Sequence, residues 1–293
     1  MGRQLSITEG YGLYIRDFIA FKGQSAKTQE AYTYAGRELV RRFGEIDICS
    51  LTFDDVRDWK LWLDKGRSPN TVRNYIVCLR VVLKFLRQRG YEVMNPDDIP
   101  VPKREIKQVE YLTEIEMENL FNEVKRKTRG YSNLARTRNL AIMKTLYATG
   151  LRNSELCSLD RNTIKENTFT VIGKGNKPRI CFIDDESLDC VKDYLSLRDD
   201  KNPALFLTLG GKRMKPGDVR RMFEIIRNRS SDFDFIHPHT IRHSYATKML
   251  NRRVDIRYIK EFMGHANLDT TNLYTHVTNP DLKEIYLNAH KLA

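Results

Sequence analysis

The side chains best suited to chemistry lie after residue 150. His239 and Arg242 stand three apart in HPHTIRHSYAT, so on a helix both project from one face. A forked guanidinium matches two oxygens of a phosphate, and an imidazole beside it adds a hydrogen bond or moves a proton. Arg152 follows Gly150 in ATGLRNSEL, at a predicted helix start, with Glu155 three residues on. Taken alone, that pair reads as a surface ion pair. Lys174 sits between Gly173 and Gly175 at a predicted hairpin tip, where a lone lysine is ordinarily just solvated. GKGNK has neither the third glycine of a dinucleotide loop nor the spacing of a P-loop. Gly264-His265 and then Tyr274, in TTNLYTH, complete the polar set, although any one of 14 tyrosines is more often packed in a core than reactive. All six histidines fall after residue 236, and His239 and His243 are spaced as in zinc hydrolases. Arg242 in the same turn would repel a dication, and no glutamate stands where a zinc hydrolase needs one. The pattern points to an anion, and no metal is expected.

The elements that must position these residues are set by composition first. The 293 residues carry 50 Lys+Arg against 38 Asp+Glu, a net charge of +12. Residues 1–107 hold 19 basic and 14 acidic side chains and the remainder 31 and 24. Both parts are thus basic, which suits equally a nucleic acid held between two basic domains and a merely soluble basic protein. With 41% hydrophobic and 30% charged residues, disordered and collagen-like classes are excluded. No apolar run approaches the roughly 20 residues that cross a bilayer, so no membrane partner is expected. The start MGRQLSITEG has no apolar targeting region. Gly2 and Ser6 match a loose myristoylation pattern, with no basic cluster or second lipid site behind it. Five cysteines form no C-x-x-C pair, which suits a reduced, cytoplasmic protein.

Periodicity predicts a helical first domain over 1–98, a linker over 99–112 with its prolines, and a second domain over 113–293. Tyr11, Tyr14, Ile15, Phe18 and Ile19 have helical spacing within one helix from Thr8 to Gly23. Trp59, Trp62 and Leu63 mark another helix face. Ser25/Thr28/Tyr32 and Ser68/Thr71/Tyr75 share S-x-x-T-x-x-x-Y. One reading is two similar capped helix starts with a tyrosine in the core. The other turns both helix N-termini toward phosphates, with Lys27, Thr28, Arg73 and Asn74 contacting DNA. The second domain opens on the capping box Thr113-x-x-Glu116. Helices are expected over 113–127, 133–149, 153–158, 186–198, 216–228, 239–252, 255–263, 269–276 and 280–291. Arg220 on the 216–228 helix joins the DNA-contact candidates. NTFTVIGKGNKPRICFID alternates around a turn at Gly173–Asn176, so it reads as a hairpin. The fold class is mainly α with a small antiparallel sheet.

The strings ATGLRNSEL, VIGKGNKPR, HPHTIRHSYAT, MGHANLDTTNLYTH and SPNTVRNY together resemble the tyrosine site-specific recombinases, the lambda-integrase and Xer group, over nearly the whole chain. The resemblance implies a two-domain DNA clamp, with a SAM-like core-binding domain before the catalytic domain. It implies that Tyr274 attacks DNA and forms a 3′-phosphotyrosyl bond, with His239 as base. Arg152 and Arg242 would hold the non-bridging oxygens, Lys174 would protonate the leaving oxygen, His265 would bond the phosphate, and Glu155 would orient Arg152. No cofactor, ATP or metal is implied. The implied partners are double-stranded DNA with paired recombination sites, a homo- or hetero-tetramer on that DNA, and an accessory protein. The amphipathic segment 280–293 would dock on a neighbouring protomer. Ile241, Tyr245 and Ala266 depart from the commoner residues, in ways that touch packing. The length, with no arm-binding domain, favours the Xer-like type; chromosome or plasmid resolution and mobile-element integration or excision would use the same machinery. Rival readings are a type IB topoisomerase, a DNA-binding protein without catalysis, and a metal-dependent hydrolase using His237, His239 and His243.

Overall fold

The computed structural model describes residues 4–19, 21, 23, 26–105, 109–126, 132–164, 166–173, 178–229 and 231–264. The chain divides into two compact units, Met1–Lys107 and Gln108–Ala293, each with its own core. Ile99, at the start of the stretch read as a linker, is buried in the first core, and Leu112 at its end in the second. Among the described residues the architecture is helical apart from one two-stranded antiparallel sheet. None of the described helices is long and apolar enough to cross a membrane.

In the first unit, α1 (Ile7–Tyr14), α2 (Ala26–Phe43), α3 (Phe53–Asp64) and α4 (Pro69–Gln88) enclose Ile7, Leu39, Trp59, Leu63, Ile76 and Leu79. Trp59 and Leu63 face inward as their spacing predicts, while Trp62 is half-buried beneath the Arg41 guanidinium. Ser68 caps α4 through the Thr71 amide at 3.3 Å, with Pro69 in the first helical position. Ser25, its counterpart, lies outside the described residues. Both tyrosines of the shared pattern pack on aromatic rings, Tyr32 on Tyr14 (4.7 Å between centroids) and Tyr75 on Trp59 (6.5 Å). The single helix expected from residue 8 onward is not continuous: α1 ends at Tyr14 and the backbone widens into a π turn over Ile15–Ile19. Residues five apart stack in a π turn. Tyr14 and Ile19 are both buried, as their place in the helical pattern predicts, although the backbone between them is wider than an α-helix.

The second unit is organised around α6 (Asn133–Thr149), buried on nearly every side and packed against α5 (Glu114–Lys125), α8 (Asp185–Ser196) and α10 (Pro238–Asn251). α5 begins at the expected box, with the Thr113 amide donating to Glu116 Oε2 (2.8 Å) and the Glu116 amide to Thr113 Oγ1 (3.3 Å). α7 (Asn153–Ser158), α9 (Pro216–Arg227) and α11 (Ile256–Met263) complete the described helices. Strands β1 (Thr168–Ile172) and β2 (Pro178–Phe182) pair with Phe169 opposite Cys181 and Val171 opposite Arg179. Phe169, Val171 and Cys181 turn into the core. The hairpin tip and the expected helices at 269–276 and 280–291 lie outside the described residues.

Candidate active site

The route to Arg152 starts at the end of α6. Gly150 takes a left-handed conformation (φ 59°), and its amide closes the helix on the Leu146 carbonyl. The Thr149 hydroxyl then accepts from the Leu151 amide at 3.3 Å. Three residues after α6, the chain starts α7 with Arg152 at its N-terminal cap. A cation at the positive end of a helix is unfavourable by itself. Glu155, in the first turn, offsets it: Oε2 accepts from the Arg152 amide (2.8 Å) and Oε1 from Arg152 Nη1 (2.7 Å). The spacing alone suggested a surface pair. Here the Glu155 carboxylate is 4% exposed, and a second cation, Arg179, reaches Oε2 at 2.7 Å.

Arg242 comes from the buried face of α10. Its guanidinium donates to the Gly150 carbonyl and, at 2.5 Å, to that of Met263. Arg152 Nη2 donates to the carbonyl of Gly264 at 2.6 Å, and Arg179 Nη1 to that of Phe262. Three successive carbonyls at the C-terminal end of α11 are therefore each taken by a different arginine. Carbonyls there lack intrahelical donors and carry the negative end of the helix dipole, so cations suit them. Among the described residues of this cluster, three guanidiniums stand beside one carboxylate, Glu155. The neighbouring Cys181 thiol and Tyr245 phenol are pushed by burial up to about 11 and about 12, so both stay neutral at physiological pH. A cluster of forked cationic donors is suited to a phosphate.

His239 lies one turn before Arg242 on α10, exposed, with its ring centroid 6.5 Å from His243 and 6.1 Å from His237. His237 caps α10, its Nδ1 accepting from the Thr240 amide at 3.0 Å, which requires the neutral ring. Burial, with the nearby histidines and Arg242, pushes His243 down to about 4. Among the described residues no group of three or more His, Cys, Asp or Glu side chains is placed to hold a metal ion. Lys174, His265 and Tyr274 lie outside the described residues. Of the DNA-contact candidates, Lys27 and Asn74 are exposed and Thr28 and Arg73 half-buried in the first unit, while Arg220 is exposed on α9. The sequence reading passed over Arg179. Its signal was a basic residue in the inward register of a predicted strand, a placement that calls for a buried partner.

Burial raises the Glu155 carboxyl, but the Arg152 amide and the Arg179 and Arg152 guanidiniums outweigh it and hold it below the ordinary value. The stabilisation from this group is then present in full above the ordinary carboxylate pKa and is lost as pH falls through the lowered one. Unfolding followed against pH should therefore steepen below about pH 4.3. Glu155→Gln should flatten that acid limb although it is less stable at neutral pH. An unchanged limb would mean that the carboxylate is not held as described.

The description of the phage integrase family matches residues 110–280, more than half of the chain. Tyrosine recombinase XerC of Staphylococcus carnosus is 34% identical over 252 residues, covering 83% of each chain. Tyrosine recombinase XerC of Bacillus pumilus is 31% identical over 297 residues, covering 96% of each. Among solved structures, the chain resembles the Tn1549 transposon integrase in complex with transposon right end DNA. That match has a TM-score of 0.77 at 21% identity and covers 97% of this chain and 99% of that one. XerH site-specific recombinase bound to palindromic difH substrate gives 0.75 at 21% identity, over 90% of this chain and 80% of that one. At such identities the structural likeness speaks for the fold. The sequence matches go further, and by them this chain belongs to the phage integrase family of tyrosine recombinases.

Proposed function

We propose that the chain cuts and rejoins double-stranded DNA at paired specific sites, with Tyr274 as the nucleophile. The phenolic oxygen forms a bond to the scissile phosphorus, and the bond to the 5′ oxygen breaks. The phenolic proton passes to His239, and the departing oxygen takes a proton from Lys174. Arg152 and Arg242 hold the two non-bridging oxygens, and His265 adds a hydrogen bond. The 3′-phosphotyrosyl linkage keeps the energy of the broken bond, so rejoining to a new 5′-hydroxyl needs no ATP. Two rounds of exchange within a tetramer would pass through a Holliday junction. Lys27, Thr28, Arg73, Asn74 and Arg220 would grip backbone phosphates, which position the enzyme and carry no sequence information. Resolution of chromosomes or plasmids fits the Xer-named relatives.

What carries this reading is the meeting of Arg152 and Arg242 on adjacent carbonyls, Gly264 and Met263. Two guanidiniums from separate segments are brought together at the end of α11, where a phosphate would need both. A phenol with an ordinary pKa of about 10 becomes a usable nucleophile when such a positive field faces it. The test is a nicked suicide duplex carrying a site selected by binding, incubated with the protein in EDTA and run on a denaturing gel. The expected result is a covalent protein–DNA band whose modified peptide contains Tyr274. Cleavage that needs a divalent cation and leaves no adduct would overturn the proposal.

A further inference from the structure

We propose that Arg179 is a positioning residue for strand cleavage: by gripping Glu155 and the carbonyl of Phe262 together, it fixes the Arg152 guanidinium against the end of α11. The inference rests on the recombinase reading above.

The Arg179 guanidinium is taken up by the Glu155 carboxylate, the Phe262 carbonyl and the Cys181 sulfur, so it acts through other groups. Its Nη2 shares Glu155 with Arg152, and its Nη1 reaches Phe262, two residues before the carbonyl that Arg152 itself holds. One planar fork thus ties β2 to α7 and α11. Remove it, and Glu155 keeps the Arg152 amide and guanidinium but loses its tie to β2, so the carboxylate that orients Arg152 is fixed from α7 only. Gly264 makes the arrangement possible. Its φ of 61° suits glycine, and a Cβ there would lie 2.8 Å from Arg179 Cδ and 3.4 Å from Arg152 Nη1. The hairpin has no packing need for a cation at this place, since Phe169, Val171 and Cys181 already supply its buried face. Arg179 Nε is buried with no hydrogen-bond partner among the described residues. A buried cation with an unmet donor costs stability that an apolar side chain would not. That cost is understandable where orientation of a neighbouring arginine matters more than stability.

The experiment measures single-turnover cleavage of the suicide duplex, DNA affinity and thermal stability for Arg179→Met, Arg179→Lys, Glu155→Gln and the double variant Arg179→Met/Glu155→Gln. Misplacing a phosphate-holding group by about 1 Å costs on the order of 10²-fold in rate, and Arg179→Met should show a loss of that order with affinity nearly unchanged. Lysine can meet Glu155 or the Phe262 carbonyl but cannot fork between them, so Arg179→Lys should recover part of the rate. The double variant should be no slower than the slower single one, because both changes break one linkage. Additive losses, or full-rate cleavage by a folded Arg179→Met, would overturn the proposal. If Arg179→Met does not fold, Arg179→Lys decides: a wild-type rate overturns it. Tyr274→Phe serves as the control. An adduct surviving in that variant would bring down the recombinase reading itself, whereas its loss beside an unimpaired Arg179 variant would bring down the positioning role alone.

Discussion

Arg242→Lys is expected to slow strand cleavage by about 10²–10³-fold, the usual consequence of losing one preorganised donor from a charge-stabilising site. The charge is retained, so the loss comes from shape. The guanidinium, 4% exposed, bonds the Gly150 carbonyl and the Met263 carbonyl from one planar group. An ammonium is a compact point donor and cannot serve both along fixed directions while facing a phosphate. At least one buried carbonyl is left without this donor, at about 1–3 kcal/mol. Stability and rate should both fall, and single-turnover cleavage at saturating protein separates chemistry from binding. Cleavage at the wild-type rate would remove Arg242 from the reacting site.

Gly150→Ala is expected to be among the most destabilising single changes in the second unit. Left-handed backbone costs a residue with a Cβ about 1–2 kcal/mol. The added carbon would also lie 2.5 Å from Tyr245 Cδ1 and 2.8 Å from Cε1, closer than side chains approach. Tyr245 is 6% exposed and packed with Ala246, Ile259 and Met263, so its ring has nowhere to move. Overpacking of this kind adds about 1–3 kcal/mol. Together these give about 2–5 kcal/mol, measurable as a shift in a urea midpoint at constant slope. A compensating change, Tyr245→Leu, should restore the part due to crowding and leave the part due to backbone. If Gly150→Ala unfolds at the wild-type midpoint, the close approach of Tyr245 is wrong.

Much of this architecture was legible in the residues because it is enforced locally. The Thr113-x-x-Glu116 box, Ser68-Pro69 and the glycines after α6 and α11 mark element ends within a few positions, and all act where the sequence places them. The hairpin register follows from alternation, since Phe169, Val171 and Cys181 must share one face. The inward register of Arg179 called for a buried partner but could not name one, because one acceptor is the backbone of Phe262, 83 residues away, and any residue carries a carbonyl. The π turn at Ile15–Ile19 was missed for a related reason. The apolar pattern of Tyr11, Tyr14, Ile15, Phe18 and Ile19 looks the same whether the backbone bonds at i+4 or at i+5. For Glu155 the sequence showed the partner at i+3 but not the burial, which depends on β2 arriving from elsewhere in the chain.

The end of α11 constrains how this protein can change over generations. Inserting or deleting one residue within Ile256–Met263 would turn the helix terminus by about 100° and shift it by about 1.5 Å. The three carbonyls would then face away from Arg152, Arg179 and Arg242 together, and no single substitution could bring all three back. Substitutions on the outer face, at positions such as exposed Tyr258, leave this arrangement untouched, whereas a change of length does not.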